Sequence, residues 1–290
     1  GSRTGRCARG VVVRGGCASL LAAWLRLPPL APAQASSRAA RGLHATWDGP
    51  VAAIRGSERS PWNTPRSYGA CTLANGLKVL LVEDFASQRF EAAVTVGVGQ
   101  FDDPNDMPGL AHLTEHLVLS GPGPPGNDGA PSEPLGPWLE ARGGDVNGFT
   151  AFDSASFFVE APAAEWRVSL ARFGYAFRGA SDDDSRGRFS TEAVDREVRR
   201  VDDELRGEEL SAALVHLQLL RYWSAPRHPL HAFGPGSLET LLPGGASAAA
   251  LGRAAAASAD FFARGFAAER GTLAVVAPVP LGVLRAAAAS

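Results

Sequence analysis

The segment Gly109-Leu110-Ala111-His112-Leu113-Thr114-Glu115-His116-Leu117 brings two imidazoles and a carboxylate into one short stretch. On an α-helix, positions i and i+4 share a face one turn apart. His112 and His116 can therefore turn ring nitrogens towards a single ion. Glu115 sits beside them, where a carboxylate can accept a proton from water held by that ion. The order HxxEH reverses the better known HExxH and satisfies the same geometry. The chemistry implied is metal-assisted hydrolysis.

Two histidines do not complete a catalytic zinc site, which usually has three protein ligands and an open position for water. Glu204 is the candidate third ligand. It lies in a long helical stretch, and Glu197 lies two turns earlier on the same face, so one can ligate while the other orients a histidine ring. His216, His228 and His231 are rival third ligands. His228-Pro229 and Gly234-Pro235-Gly236 read as loop, a less rigid support. Short motifs also occur on solvated helix faces, and Glu197 and Glu204 taken alone read as ordinary solvated positions. Here the motif opens from a glycine-containing loop, sits among core leucines and has an acidic helix downstream.

The elements that must position these groups are legible in outline. Cys71 to Leu73 and Leu77 to Val82 flank Ala74-Asn75-Gly76, a turn in which Asn-Gly tolerates positive φ. Val94, Val96 and Val98 alternate as in a half-buried strand. Residues 109–119 read as a helix with Leu110, Leu113 and Leu117 on one face. Residues 122–137, rich in Gly and Pro, read as loop. Strands are expected at 145–151 and 154–160, then a helix at 164–177. A long helix is expected from about Ser190 towards Trp223, weakened at Gly207. A helix at 251–262 and a strand at 272–277 follow. Short turns between strand pairs favour an α+β domain with a largely antiparallel sheet flanked by helices.

The bulk numbers fit this picture. The chain has 290 residues, 45% hydrophobic and 20% charged, with a formal net charge of −2. That balance gives no electrostatic case for nucleic acid. No apolar run is long enough for a spanning helix. Cys7, Cys17 and Cys71 have neither disulfide-framework nor zinc-site spacing, and Cys71 reads as a packed strand residue. Residues 1–47 lack Asp and Glu but carry Arg3, Arg6, Arg9, Arg14, Arg26, Arg38 and Arg41. This resembles a transit peptide to a mitochondrion or plastid. Leu20 to Leu25 with Ala33-Gln34-Ala35 resembles a secretory signal, and the cytosol stays open. The expected organisation is a leader at 1–50, a linker at 51–66 and a catalytic domain at 67–290.

At the metal-binding segment the chain resembles the M16 family of metallopeptidases, the pitrilysin, insulin-degrading enzyme and mitochondrial processing peptidase group. The flanks resemble it too. Leu73-Ala74-Asn75-Gly76-Leu77-Lys78-Val79-Leu80-Leu81 is similar to the family's opening hairpin. Asp103-Pro104 before Gly109-Leu110-Ala111-His112 is similar to its approach to the metal helix. Asn147-Gly148-Phe149-Thr150 resembles its substrate-pairing edge strand. Asp195-Arg196-Glu197-Val198 with Val201-Asp202-Asp203-Glu204 resembles the segment supplying the third ligand. His228-Pro229-Leu230, Phe233-Gly234, Phe261-Phe262 and Leu273-Ala274-Val275-Val276 match most closely the insulin-degrading enzyme branch.

The resemblance implies a zinc metalloendopeptidase N-terminal domain. His112, His116 and Glu204 would bind Zn2+, Glu115 would act as general base on a zinc-activated water, and Glu197 would support a ligand from behind. A peptide or unfolded polypeptide would pair with Asn147, Gly148, Phe149 and Thr150. Further domains of the same type, in this chain or another, would complete the enclosure. Three features depart from the family: a longer interval from His116 to Glu204, Gly148 where Ala is common, and one domain where family enzymes enclose substrate between two multi-domain halves. An alternative reading is therefore a catalytically incomplete peptide-binding or assembly subunit. A purely structural zinc domain leaves Glu115 without a role.

Overall fold

In the computed structural model, residues 66–126, 131–178, 185–208 and 211–289 are described. The expected leader, and the expected linker up to Pro65, lie outside them. The first hairpin joins β1 (Ser67–Thr72) to β2 (Lys78–Glu83), with Thr72 opposite Lys78. Gly76 takes φ 89° in the connection, and the Asn75 carboxamide accepts from the Leu77 amide at 3.1 Å. Cys71 lies within β1 and is half-buried.

β3 (Arg89–Val96) is longer than its valines alone announce. Phe90, Ala92, Val94 and Val96 face inward while Glu91 and Thr95 face out, as strand alternation requires. The HxxEH motif lies on α1 (Leu110–Ser120). Leu110, Ala111, Leu113, Thr114, Glu115, Leu117 and Val118 are all buried, so this helix is wrapped on most sides.

The expected loop at 122–137 carries structure instead. β4 (Gly123–Pro125) pairs with β5 (Pro131–Ser132), and α2 spans Leu135–Glu140. Leu135, Trp138 and Leu139 recur at helical spacing and are buried. The prolines do not prevent the helix because they fall at its N-cap and first turn, where no intrahelical donor is needed.

β6 (Asp145–Thr150) and β7 (Ala155–Pro162) form the expected second hairpin, followed by α3 (Trp166–Ala176). The short α4 (Ser185–Arg188) precedes α5 (Thr191–Glu208). The single long helix expected from about Ser190 to Trp223 is two helices, α5 and α6 (Ala212–Trp223). Ser211 adopts φ −64° and ψ 123°, an extended conformation that no α-helix contains, and caps the second helix instead. α7 (Leu238–Leu241), α8 (Ala248–Gly265), β8 (Gly271–Ala277) and α9 (Leu281–Ala289) complete the chain. α9 was not expected from the sequence; its Leu284 is fully buried.

The main sheet runs β1-β2-β8-β3-β7-β6. All its ladders are antiparallel except β2 with β8, which is parallel. The fold is thus the expected α+β class with a largely antiparallel sheet. Phe157, Val159 and Ala161 of β7 join Leu273 and Val275 of β8 in the core beneath the helices. α1 packs against α5, α8 and β6. Among the described residues β6 is bonded on one side only, to β7, so its other backbone edge borders the sheet.

Two devices fix the start of α1. The Asp103 carboxylate accepts from the backbone amides of Gly109 and Ala111, each at 2.7 Å. It thus satisfies donors that a helix N-terminus leaves without intrahelical partners. Gly109 takes φ 95° and packs backbone to backbone against Gly236, itself at φ 80°. A Cβ on Gly109 would overlap the Gly236 backbone.

Gly109→Ala is expected to destabilise the fold by about 1–3 kcal/mol, through strained φ and lost close approach. Asp103→Ala should remove about 1–2 kcal/mol of capping. Urea denaturation followed by circular dichroism measures both, and an unchanged midpoint in either variant contradicts the corresponding contact.

Candidate metal centre

α1 and α5 cross so that His112 and His116 face Glu204 across a narrow gap. His116 Nε2 lies 3.4 Å from Glu204 Oε2, and His112 Nε2 lies 3.7 Å from the same oxygen. One donor atom from each of His112, His116 and Glu204 falls within 4.8 Å of the other two. Tetrahedral ligands at normal zinc distances stand about 3.3 Å apart, and the two histidine–Glu204 separations lie near that value. Of the rival third ligands, His216, His228 and His231 do not join this group among the described residues. The His231 ring instead bonds to the Arg221 carbonyl at 3.2 Å.

Each imidazole is held from behind. His112 Nδ1 lies 2.7 Å from the Pro235 carbonyl oxygen. A carbonyl can only accept, so the proton resides on Nδ1 and the Nε2 lone pair faces the gap. His116 Nδ1 lies 3.6 Å from Glu197 Oε2. Glu197 is 1% exposed, and Arg196 Nε and Arg200 Nη1 brace it at 2.9 and 3.1 Å.

Burial pushes the Glu197 carboxyl up, but the neighbouring His116, the hydrogen bond from Arg196 and the charge of Arg200 outweigh it and bring it down to about 2. Burial likewise works against a charged His116, yet Glu197 and Glu204 outweigh it and push His116 up to about 9. Glu204 is drawn below its ordinary value, chiefly by its hydrogen bond with His116. The cluster therefore favours a positive charge at its centre, the electrostatic condition a divalent cation satisfies by displacing protons.

Glu115 points from the same helix towards β6 and is 4% exposed. The Thr150 hydroxyl donates to Glu115 Oε2 at 2.5 Å. Burial raises the Glu115 pKa, against the pull of Thr150 and of both histidines. Along β6, Val146, Gly148 and Thr150 are the more buried positions, while Asn147 and Phe149 are exposed. A Cβ on Gly148 would come within 2.8 Å of Glu115 Oε1, so glycine leaves the carboxylate room. A cleft of about 860 Å3 joins His112, Glu115, His116 and Glu204 to all four of Asn147, Gly148, Phe149 and Thr150.

Sequence reasoning picked out the three clustered residues, the adjacent carboxylate and Glu197. It missed the Pro235 carbonyl, which as a main-chain atom has no residue-type signature, although the flanking glycines mark a close approach. It placed Thr150 at the substrate edge; its side chain also holds Glu115. It gave Arg196 and Arg200 no part, although Arg200 follows Glu197 on α5 at the i,i+3 spacing that brings helical side chains together.

No helix among the described residues is long and apolar enough to cross a membrane. Residues 78–226 match the family model described as Insulinase (Peptidase family M16). The A-factor-processing enzyme of Saccharomyces cerevisiae is 31% identical over 177 residues, covering 61% of this chain and 16% of that protein. The insulin-degrading enzyme of Mus musculus is 31% identical over 176 residues, again 61% of this chain and 16% of the relative. The chain thus spans about a sixth of the length of these relatives. The crystal structure of pitrilysin superposes with a TM-score of 0.70 at 26% identity, covering 83% of this chain and 24% of that one. The match runs through α1, the edge strand β6 and the helix that carries Glu204, and the chain belongs to the insulinase family of peptidases, family M16.

Proposed function

We propose that residues 67–290 form the catalytic domain of a zinc metalloendopeptidase. The observation that carries this reading is the convergence of two imidazole Nε2 atoms and a carboxylate oxygen within 4.8 Å, beside the buried carboxylate of Glu115. His112, His116 and Glu204 hold Zn2+. When bound there, the ion supplies Lewis acidity, which lowers the pKa of water and polarises a carbonyl.

The chain's own residues do the rest. Glu115 takes a proton from the attacking water and delivers it to the leaving amine nitrogen as the C–N bond breaks. Burial makes Glu115 a stronger base than an ordinary surface carboxylate. Thr150 occupies Oε2, which leaves Oε1 for the proton. Glu197 and the Pro235 carbonyl fix the two imidazoles. An extended peptide or unfolded polypeptide adds to the bordering edge of β6 at Asn147, Gly148, Phe149 and Thr150 through main-chain hydrogen bonds. Further M16-type domains complete the enclosure, and the Arg-rich N-terminus directs the protein to an organelle or the secretory route.

A second reading rests on the 16% of each relative that the chain covers: a peptide-binding or assembly module that cleaves only when further domains are present. Both readings place a metal on the same three residues and differ in hydrolysis by this chain alone.

The purified chain is expected to hold about one zinc, and His112→Ala and Glu204→Gln should each lose it, as read by atomic emission. Full metal content in both variants would remove the ligand assignment. Glu115→Gln should keep its zinc and cleave a fluorogenic peptide about 10²–10⁴-fold more slowly. Undiminished cleavage by that variant would exclude Glu115 as base.

A further inference from the structure

A buried cation stands behind the cleft and has no part in the chemistry above. Arg221, on α6, is 3% exposed. Its hydrogen-bond partners among the described residues are neutral oxygens. Nη2 donates to Gln100 Oε1 at 2.5 Å, and Nη1 donates to the Ala232 carbonyl. Its Nε has no partner. Burial pushes the guanidinium pKa down. Among the described residues no carboxylate accepts a hydrogen bond from it, and the charge of Asp103 favours it only through space; burying it is an expensive choice, and an apolar side chain of similar volume would fill the space at lower cost. What the guanidinium adds is a rigid fork whose two arms hold their acceptors at a fixed separation.

Each arm leads to the metal centre. Gln100 Nε2 donates to the Thr150 carbonyl at 3.2 Å, and the Thr150 hydroxyl donates to Glu115. The neighbouring backbone reinforces this arm, with the Gln100 amide on the Ala151 carbonyl at 3.0 Å and the Phe101 amide on the Phe152 carbonyl at 2.7 Å. Ala232 lies three residues before Pro235, whose carbonyl holds His112. Between them sits Gly234, where a Cβ would overlap Gln100 Oε1 and crowd Arg221 Nη2.

We propose that Arg221 and Gln100 form a positioning clasp that holds the base Glu115 and the ligand His112 in one frame for peptide-bond hydrolysis. Neither residue belongs to the His112, His116 and Glu204 group, and Arg221 lies behind the cleft wall that Gln100 helps to line. They act through Thr150 on one side and Pro235 on the other. The assignment rests on the metallopeptidase reading above.

Two substitutions on the whole chain separate positioning from mere folding. Gln100→Glu keeps the acceptor for Arg221 and gains an ion pair, but loses the donor to Thr150. Its melting temperature should not fall, and its zinc affinity should hold, because the Ala232 arm is intact. Its kcat should fall at least about tenfold with little change in KM, as misplacement of a reacting group predicts. In a Thr150→Val background the same substitution should cost nothing further. Arg221→Lys keeps the charge and loses the fork, so kcat should fall similarly and zinc affinity should weaken about tenfold.

Hydrogen exchange reads the geometry independently of catalysis. Protection at 147–152 should drop in Gln100→Glu, and at both 147–152 and 233–236 in Arg221→Lys. A parent chain that neither binds zinc nor cleaves rejects the metallopeptidase reading; the clasp is then judged by exchange alone. Unchanged protection at both segments overturns the clasp. So does a cleaving Gln100→Glu that keeps its kcat, or one whose loss persists in full beside Thr150→Val.

Discussion

The close approach of Gly109 and Gly236 is the constraint on which the candidate metal centre depends. Two backbones meet there because neither carries a Cβ and both adopt positive φ. The contact sets the Pro235 carbonyl against His112 Nδ1. That bond fixes the ring's tautomer and plane and aims Nε2 at Glu204. Any larger residue at position 109 would separate the turn from the helix and free the imidazole to rotate. A ligand that rotates must be reordered when an ion binds, and the entropy of ordering it subtracts from affinity.

The remaining groups follow from the cost of burying charge. Glu115, His116 and Glu197 are all largely withdrawn from water, and isolated ionised groups would be prohibitive there. They are arranged so that each answers another. Glu197 is braced by Arg196 and Arg200 and faces His116; Glu115 is held by Thr150 and lies near both histidines. The exposed Glu204 closes the cluster from the solvent side. Carboxylates therefore outnumber the histidines around the gap. Under the proposed function, a bound cation would answer the carboxylates that Arg196 and Arg200 leave uncompensated.

Much of this was legible in the sequence because helices convert spacing into direction. The separation of His112 from His116, and of Glu197 from Glu204, fixes which side chains share a face before any tertiary contact is known. The buried stripe Val194, Val198 and Val201 then turns that face inward. Hairpins were equally legible where Asn-Gly demanded positive φ. What stayed hidden depends on atoms or contacts without a local signature. The Pro235 carbonyl belongs to every residue type. Trp138 anchors α2 within a proline-rich stretch through tertiary contacts, with Arg142, and Arg172 of a neighbouring helix, both over its ring. The break at Ser211 follows backbone conformation in a stretch whose composition favours continuing the helix.

The pairing of β6 with α1 also links recognition to chemistry under the proposed function. A strand alternates its side chains between faces but presents its backbone along an edge. Two of the inward positions of β6 are Gly148 and Thr150, one leaving space beside Glu115 and the other bonding it. A peptide registered on the edge by main-chain hydrogen bonds is therefore registered against the base by the same strand. Because that register is read from the backbone, it does not depend on the peptide's side chains. Position along the strand sets which bond faces Glu115, and the walls of the cleft are left to choose among sequences.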